Sequence, residues 1–235
     1  MSAPAVSRIE TLGDAALVLH FGAGIDPLVN ARVLAFADAL RAAAWPGIVD
    51  LIPAYATLTV CYDPGAWDSD ALAARLPVLP VDASPASAPR APVEIPVCYG
   101  GEFAPDMDTV CAHTGLDAAE LVRRHHAAQY RVYFIGFVPG FPYLGGLDAA
   151  LAVPRRATPR REVPPGSVAI GGEQTGIYPL AAPGGWHIIG RTPLRLFDAR
   201  RADPCLLQAG DRLRFVPVTR AAYLRLRDAS AEGRS

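Results

Sequence analysis

From residue 136 to residue 193 glycine and proline recur every few positions, and this punctuation limits the second half of the chain more than any other feature. Three stretches are densest: 136–146 (GFVPGFPYLGG), 164–179 (PPGSVAIGGEQTGIYP) and 183–193 (PGGWHIIGRTP). Glycine admits positive φ and close backbone approach, and proline fixes φ, so the chain must turn often and its regular elements must be short. Between the turns lie strand-like runs at 168–170, 176–180, 186–189, 194–197 and 213–218. Many short strands with frequent turn signals predict a β-barrel or sandwich. Upstream, 93–99 (VEIPVCY) reads as a strand. Residues 117–127 read as a helix with Asp117 at the N-cap and Glu120 three positions on, a capping-box arrangement. In 130–135 (YRVYFI) the alternation puts Tyr130, Val132 and Phe134 on one face of a strand. Residues 219–227 read as a closing helix, and 229–235 as a loose tail.

The first part of the chain has a different texture. Residues 15–21 read as a buried strand. Asp26-Pro27 opens a helix, because Asp caps it and proline at the first position gives up an N–H that no turn needs. Val29, Val33, Phe36 and Leu40 give that helix one apolar face. Strands at 48–52 and 56–62 and a helix near 68–76 complete a small α/β unit. Residues 77–92 (PVLPVDASPASAPRAP), rich in Pro, Ala and Ser, read as a semi-rigid linker. The expected organisation is thus an α/β domain over 1–78, a linker over 79–92, a barrel over 93–228 and a tail over 229–235, in the α+β class.

Apolar residues make up 51% of the chain and charged residues 19%, which suits a globular protein. Net charge is −1, so no basic field draws nucleic acid or an anionic membrane. Residues 1–90 carry five Arg against nine acids, and residues 91–235 carry seventeen against fourteen. An anionic small molecule is more readily held in the second half. All 22 basic residues are Arg. Without lysine there is no Schiff base, no lysine general base and no phosphate-cradling Lys of a P-loop. Cys61, Cys98, Cys111 and Cys205 form no C-x-x-C pair and no zinc-finger spacing with His, so no metal is evident and the thiols are expected reduced and mostly buried. No apolar run approaches a membrane span, and the start has no signal-peptide pattern. A cytoplasmic location is the expectation.

The Gly/Pro stretches are read either as tight barrel corners or as stiff loops presenting a site. Arg155, Arg156, Arg160 and Arg161 precede Pro164, and an Arg fork binds a carboxylate or phosphate with two parallel hydrogen bonds. The other reading of these arginines is a solvated loop or a subunit contact. Arg160 is the first choice for a substrate-binding role and Arg191 the second. Glu173-Gln174-Thr175 follows Gly171-Gly172 at the expected mouth of a strand pair. There a carboxylate could act as general base and an amide could orient a carbonyl, or the residues could serve the turn. Tyr178 and Trp186 read as pocket wall or as core. His187 reads as a proton shuttle or as a structural histidine. His125 and His126 sit near the end of a helix, where the dipole favours a cation, and read as structural or interfacial. Ser167 lacks the G-x-S-x-G spacing of a nucleophile elbow.

The strings YRVYFIGFVPGFPYLGGLD and PRRATPRREVPPGSVAIGGEQTGIYPLAAPGGWHIIGRTPLRLFD, with RIETLGDAALVLHF near the start, resemble the allophanate hydrolase subunit 1 family, which includes the 5-oxoprolinase B subunits. The resemblance covers nearly the whole chain. It implies a small N-terminal α/β domain and a cyclophilin-like barrel. It also implies partnership with a second subunit of the same superfamily and a third, lactam-utilisation subunit, in the ATP-dependent cleavage of 5-oxoproline to glutamate. On that implication ATP is bound mainly by a partner, and Glu173, Gln174 and His187 are catalytic candidates. Arg160, Thr175, Tyr178, Trp186 and Arg191 are the substrate-binding candidates. A biotin-attachment Met-Lys pair cannot exist here. The family also holds inhibitors of sensor histidine kinases and proteins of urea and allophanate metabolism, which share the same motif block.

Overall fold

The structure, a computed structural model, describes residues 6–81 and 91–232. The chain divides into two compact units, 1–90 and 91–235. The central part of the segment read as a linker, 82–90, lies outside the described residues.

The first unit runs β1 (Arg8–Thr11), β2 (Ala16–His20), α1 (Pro27–Ala43), β3 (Ile48–Pro53), β4 (Thr57–Tyr62) and α2 (Ser69–Arg75), and its antiparallel sheet has the order β1-β2-β4-β3. Alternation decides which face is buried: Leu17 and Leu19 on β2 point the same way as Leu58, Val60 and Tyr62 on β4. Against them α1 lays Val33, Phe36 and Leu40, all buried. The helix starts as the sequence predicts, with the Asp26 carboxylate accepting from the Leu28 and Val29 amides. Strand β1 escaped the sequence reading because its short RIET run is largely exposed and carries no apolar alternation.

The second unit holds β5 (Val93–Val97), α3 (Met107–Thr114), α4 (Ala118–Ala127), β6 (Tyr130–Ile135), β7 (Pro142–Gly145), β8 (Arg160–Val163), β9 (Ser167–Gly171), β10 (Gln174–Ile177), β11 (Ala182–Gly184), β12 (His187–Arg191), β13 (Arg212–Pro217) and α5 (Arg220–Glu232). Seven strands form one sheet in the order β12-β9-β10-β7-β6-β13-β5. Its two end strands meet, since Cys98 and Arg191 exchange backbone hydrogen bonds of 2.9 and 3.0 Å and close the sheet into a barrel. Ile95, Val97, Val132, Leu144, Val168, Ile170, Ile189 and Leu213 fill the interior. A two-stranded arm, β8 with β11, stands beside the barrel. Behind this arm a second cluster of Phe141, Val163, Ala169, Tyr178, Trp186 and Ile188 is buried on the barrel's outer face. The fold is α+β, a small α/β unit followed by a cyclophilin-like barrel.

Several local expectations change. Residues 194–197 are not a strand: Leu196 is buried in the core, but only Phe197 pairs, in an isolated bridge with Cys205. A β-bulge between Val132 and Phe134 reverses the alternation of β6, so Ile135 joins the interior with Tyr130 and Val132 while Phe134 stacks on Tyr143 at 4.3 Å. Helix α3 went unread. The capping box is half made: Asp117 accepts from the Glu120 amide, but the Glu120 carboxylate reaches forward to Arg123 and Arg124. Residues 229–232, read as loose, continue α5. All four cysteines are free, and only Cys98 is buried.

Candidate functional site

The polar centre of the second unit is Asp106, just before α3, with a side chain only 4% exposed. A carboxylate can be held there because four donors converge on it. Arg160 grips it with both fork nitrogens at 2.8 Å, Arg156 adds a bond of 2.9 Å, and the Ile188 amide adds one of 2.7 Å. Burial pushes the Asp106 carboxyl up, but the Arg160 hydrogen bonds, the Ile188 N–H and the two guanidinium charges outweigh it. The group settles below its ordinary value. The Asp106 amide also donates to the Ile188 carbonyl at 3.1 Å, so this residue pairs with β12 almost as a strand would.

His187 opens β12 opposite Ile170, and paired residues share a face, so the imidazole lies on the interior side at one end of the barrel. Its Nε2 meets the Pro154 carbonyl at 3.0 Å, while Nδ1 is buried without a partner. A carbonyl only accepts, so Nε2 carries the proton and Nδ1 presents a bare lone pair. Burial holds the ring below its ordinary pKa, only partly opposed by the Asp106 charge and the Pro154 bond, and Arg156 and His113 depress it further. His113 lines an open cleft of about 470 Å³ with Asp108, Thr109 and Ala112, and its ring lies 6.2 Å from that of His187.

Of the residues singled out from sequence, Arg160, Trp186 and His187 come together around this end of the barrel. Arg160 does not present an open fork, because Asp106 occupies it. Trp186 and Tyr178 are buried in the outer-face cluster, with the Trp186 ring packed on Gly171 so closely that any Cβ there would collide. Arg155 lies over that ring at 5.8 Å. Gln174 pairs with Gly171, and its Oε1 is buried without a partner. Glu173 is exposed in the turn between β9 and β10. Arg191 is set apart at the far end of β12, its guanidinium 5.6 Å from the Phe103 ring centroid.

Thr175 is not at a mouth. Its hydroxyl, fully buried, donates to the Ala169 carbonyl at 3.0 Å and so accepts from His125 Nε2 at 3.1 Å. His125 Nδ1 in turn accepts from the Tyr99 hydroxyl at 2.9 Å. The ring stacks on Phe215 with centroids 4.6 Å apart. His125 is therefore a structural residue rather than a cation at the helix end: burial pushes its pKa down to about 3, with a small contribution from His126. Ser167 is buried, and its hydroxyl donates to the Pro164 carbonyl. Asp106 and His113 are the members of the site that the sequence does not single out, and Arg156 ranks there behind Arg160 and Arg191. The partners of Asp106 lie 50 to 82 positions away, beyond any local pattern. Among the described residues no group of three His, Cys, Asp or Glu is placed to hold a metal ion.

The sequence profile of the carboxyltransferase domain, subdomain C and D, matches residues 7–207. The 5-oxoprolinase B subunit of Bacillus subtilis is 42% identical over 92% of this chain and 95% of its own length. The protein of the same name from Escherichia coli O157:H7 is 43% identical over 90% of this chain and 96% of its own. The chain belongs to this carboxyltransferase C and D family, which includes the 5-oxoprolinase B subunits. Among solved structures, TTHA0988 superposes with a TM-score of 0.78 at 41% identity over 86% of this chain, which spans only 40% of that one. The Kluyveromyces lactis urea carboxylase gives a TM-score of 0.79 over 96% of this chain and 23% of its own, but at 20% identity it shows the fold alone. No helix of the described residues is long and apolar enough to cross a membrane.

Proposed function

We propose that the chain is the B subunit of a cytoplasmic, ATP-dependent 5-oxoprolinase and is inactive by itself. The observation that carries this reading is the near full-length identity of 42% and 43% to two proteins of that name. TTHA0988, of which this chain spans 40%, supports a partner, because there the same module is joined to a further segment in one polypeptide. The partners are a second subunit of the same superfamily and a lactam-utilisation subunit, and ATP is held mainly by them. In the reaction the lactam oxygen takes the γ-phosphoryl group of ATP and ADP leaves. Water then adds to the activated carbon, the ring C–N bond breaks and phosphate departs, leaving glutamate.

The chain contributes the polar end of its barrel. His187 and Gln174 each hold a buried acceptor without a partner, His187 towards the interior and Gln174 on the opposite face of the sheet. We assign His187 to the amide, while Gln174, with Glu173 in the adjoining turn, serves the other face of the sheet. Trp186 and Tyr178 shape the wall beside Gln174, Arg160 acts through Asp106, and Thr175 and Arg191 support the barrel. The test is ATP-dependent release of glutamate from 5-oxoproline by the chain alone and with both partners. Glutamate is expected only from the complete assembly, with kcat lowered at least tenfold by His187→Gln. An intact assembly that leaves 5-oxoproline untouched would overturn the substrate assignment.

A further inference from the structure

The hydrogen-bonding positions left open around His187 form a pattern. Nδ1 is buried, carries no proton and accepts from nothing. Arg156 spends Nη1 on Asp106, while its Nε–H is buried without an acceptor. Two guanidinium charges meet the single charge of Asp106, so one positive charge is left over. A buried orphan costs free energy unless something fills its valence, and here an orphan acceptor and a surplus cation are neighbours. The cleft lined by Asp108, Thr109, Ala112 and His113 lies beside this spot, with the His113 ring 6.2 Å from that of His187. Water could satisfy the acceptor, but it would leave the surplus charge unmatched. A ligand that satisfies both must bring an N–H donor for His187 and an anion for Arg156.

We propose that His187 and Arg156 form a subsite for a small carboxylate carrying an amide N–H, entered through the His113 cleft. His187 Nδ1 accepts the amide hydrogen and the Arg156 guanidinium holds the carboxylate. Asp106 is a positioning residue that fixes Arg156 without touching the ligand. The proposal deepens the lactam reading above and rests on it for the identity of the natural ligand, but its chemistry can be tested without turnover.

The experiment follows the imidazole resonances of His187 and His113 by NMR in the full chain. The probes are 5-oxoproline, its N-methyl derivative, which lacks the N–H, and 2-pyrrolidinone, which lacks the carboxylate. 5-Oxoproline is expected to shift both rings, and each altered probe to bind at least about tenfold more weakly, the scale of leaving one buried hydrogen-bonding group unsatisfied. Arg156→Met should erase the preference for a carboxylate while the N–H preference remains. The fold should survive this change, because Arg160 still grips Asp106 with both nitrogens. Equal binding of the three probes, or no shift at His187, would overturn the subsite even if the assembly hydrolyses 5-oxoproline. The expected ranking without turnover would keep the subsite and discard the 5-oxoprolinase reading.

Discussion

Acidification should destabilise the barrel chiefly through His125. His125 is fully buried and neutral, held by Tyr99 and Thr175, with a pKa pushed down to about 3. In the unfolded chain its imidazole titrates near the ordinary value of about 6.5. Above that pH both states are unprotonated and His125 adds no pH dependence. Below it the unfolded chain binds a proton that the native state refuses, so stability falls by about 1.4 kcal/mol for each pH unit. Between pH 6.5 and 5 the loss from this residue approaches about 2 kcal/mol, a large part of the 5–15 kcal/mol typical of a domain. His187, whose pKa is also depressed, acts in the same direction. The assay is urea unfolding across this pH range, followed at Trp186 after replacing Trp45 and Trp67 by Phe. The difference between the chain and its His125→Gln variant isolates the residue, and an NMR titration of the folded chain reads its pKa directly. Parallel pH profiles for the two proteins, or a His125 ring titrating near 6.5 in the folded chain, would refute the reasoning.

Asp106→Asn should destabilise the barrel by about 3 kcal/mol in urea titrations, because two partly buried guanidinium groups lose their counter-charge. Since the Asp106 carboxyl is held below its ordinary value, its contribution is complete above about pH 4 and disappears as pH falls through the folded value, a component the variant should lack. Gly171→Ala should cost about 1–3 kcal/mol, because its methyl displaces the Trp186 ring, and the Trp186 emission should move to longer wavelength.

What could be read from the sequence was what short-range patterns encode. The cap at Asp26 and the apolar face behind it suffice to place α1. The glycine and proline spacing likewise marks most of the barrel strands. The failures have equally local causes. RIET carries too little apolar alternation to show as a strand, and in α3 only Met107 and Val110 are buried. LRLF has the composition of a strand but no neighbouring strand to complete it, and the bulge in β6 exchanges the faces that a period of two would assign. The site was only half legible for a different reason. Arg160 and His187 announce themselves by type, but the residue that organises them is an aspartate 54 positions before Arg160. Thr175 stands beside Gln174 in sequence, yet strand alternation sends it inward to His125.

One consequence of Asp106 concerns how this protein can change. The same residue gathers the arginines and fastens the open margin of β12, its carboxylate accepting from the Ile188 amide and its own backbone N–H donating to the Ile188 carbonyl. Charge at the site and integrity of the sheet are therefore a single variable. A lineage adapting this module to another ligand cannot tune position 106 by degrees, since each step that alters the anion pocket also loosens the strand beneath it. Diversification has to proceed around it, at Arg156, His113 and the cleft walls, while the aspartate stays as the fixed point.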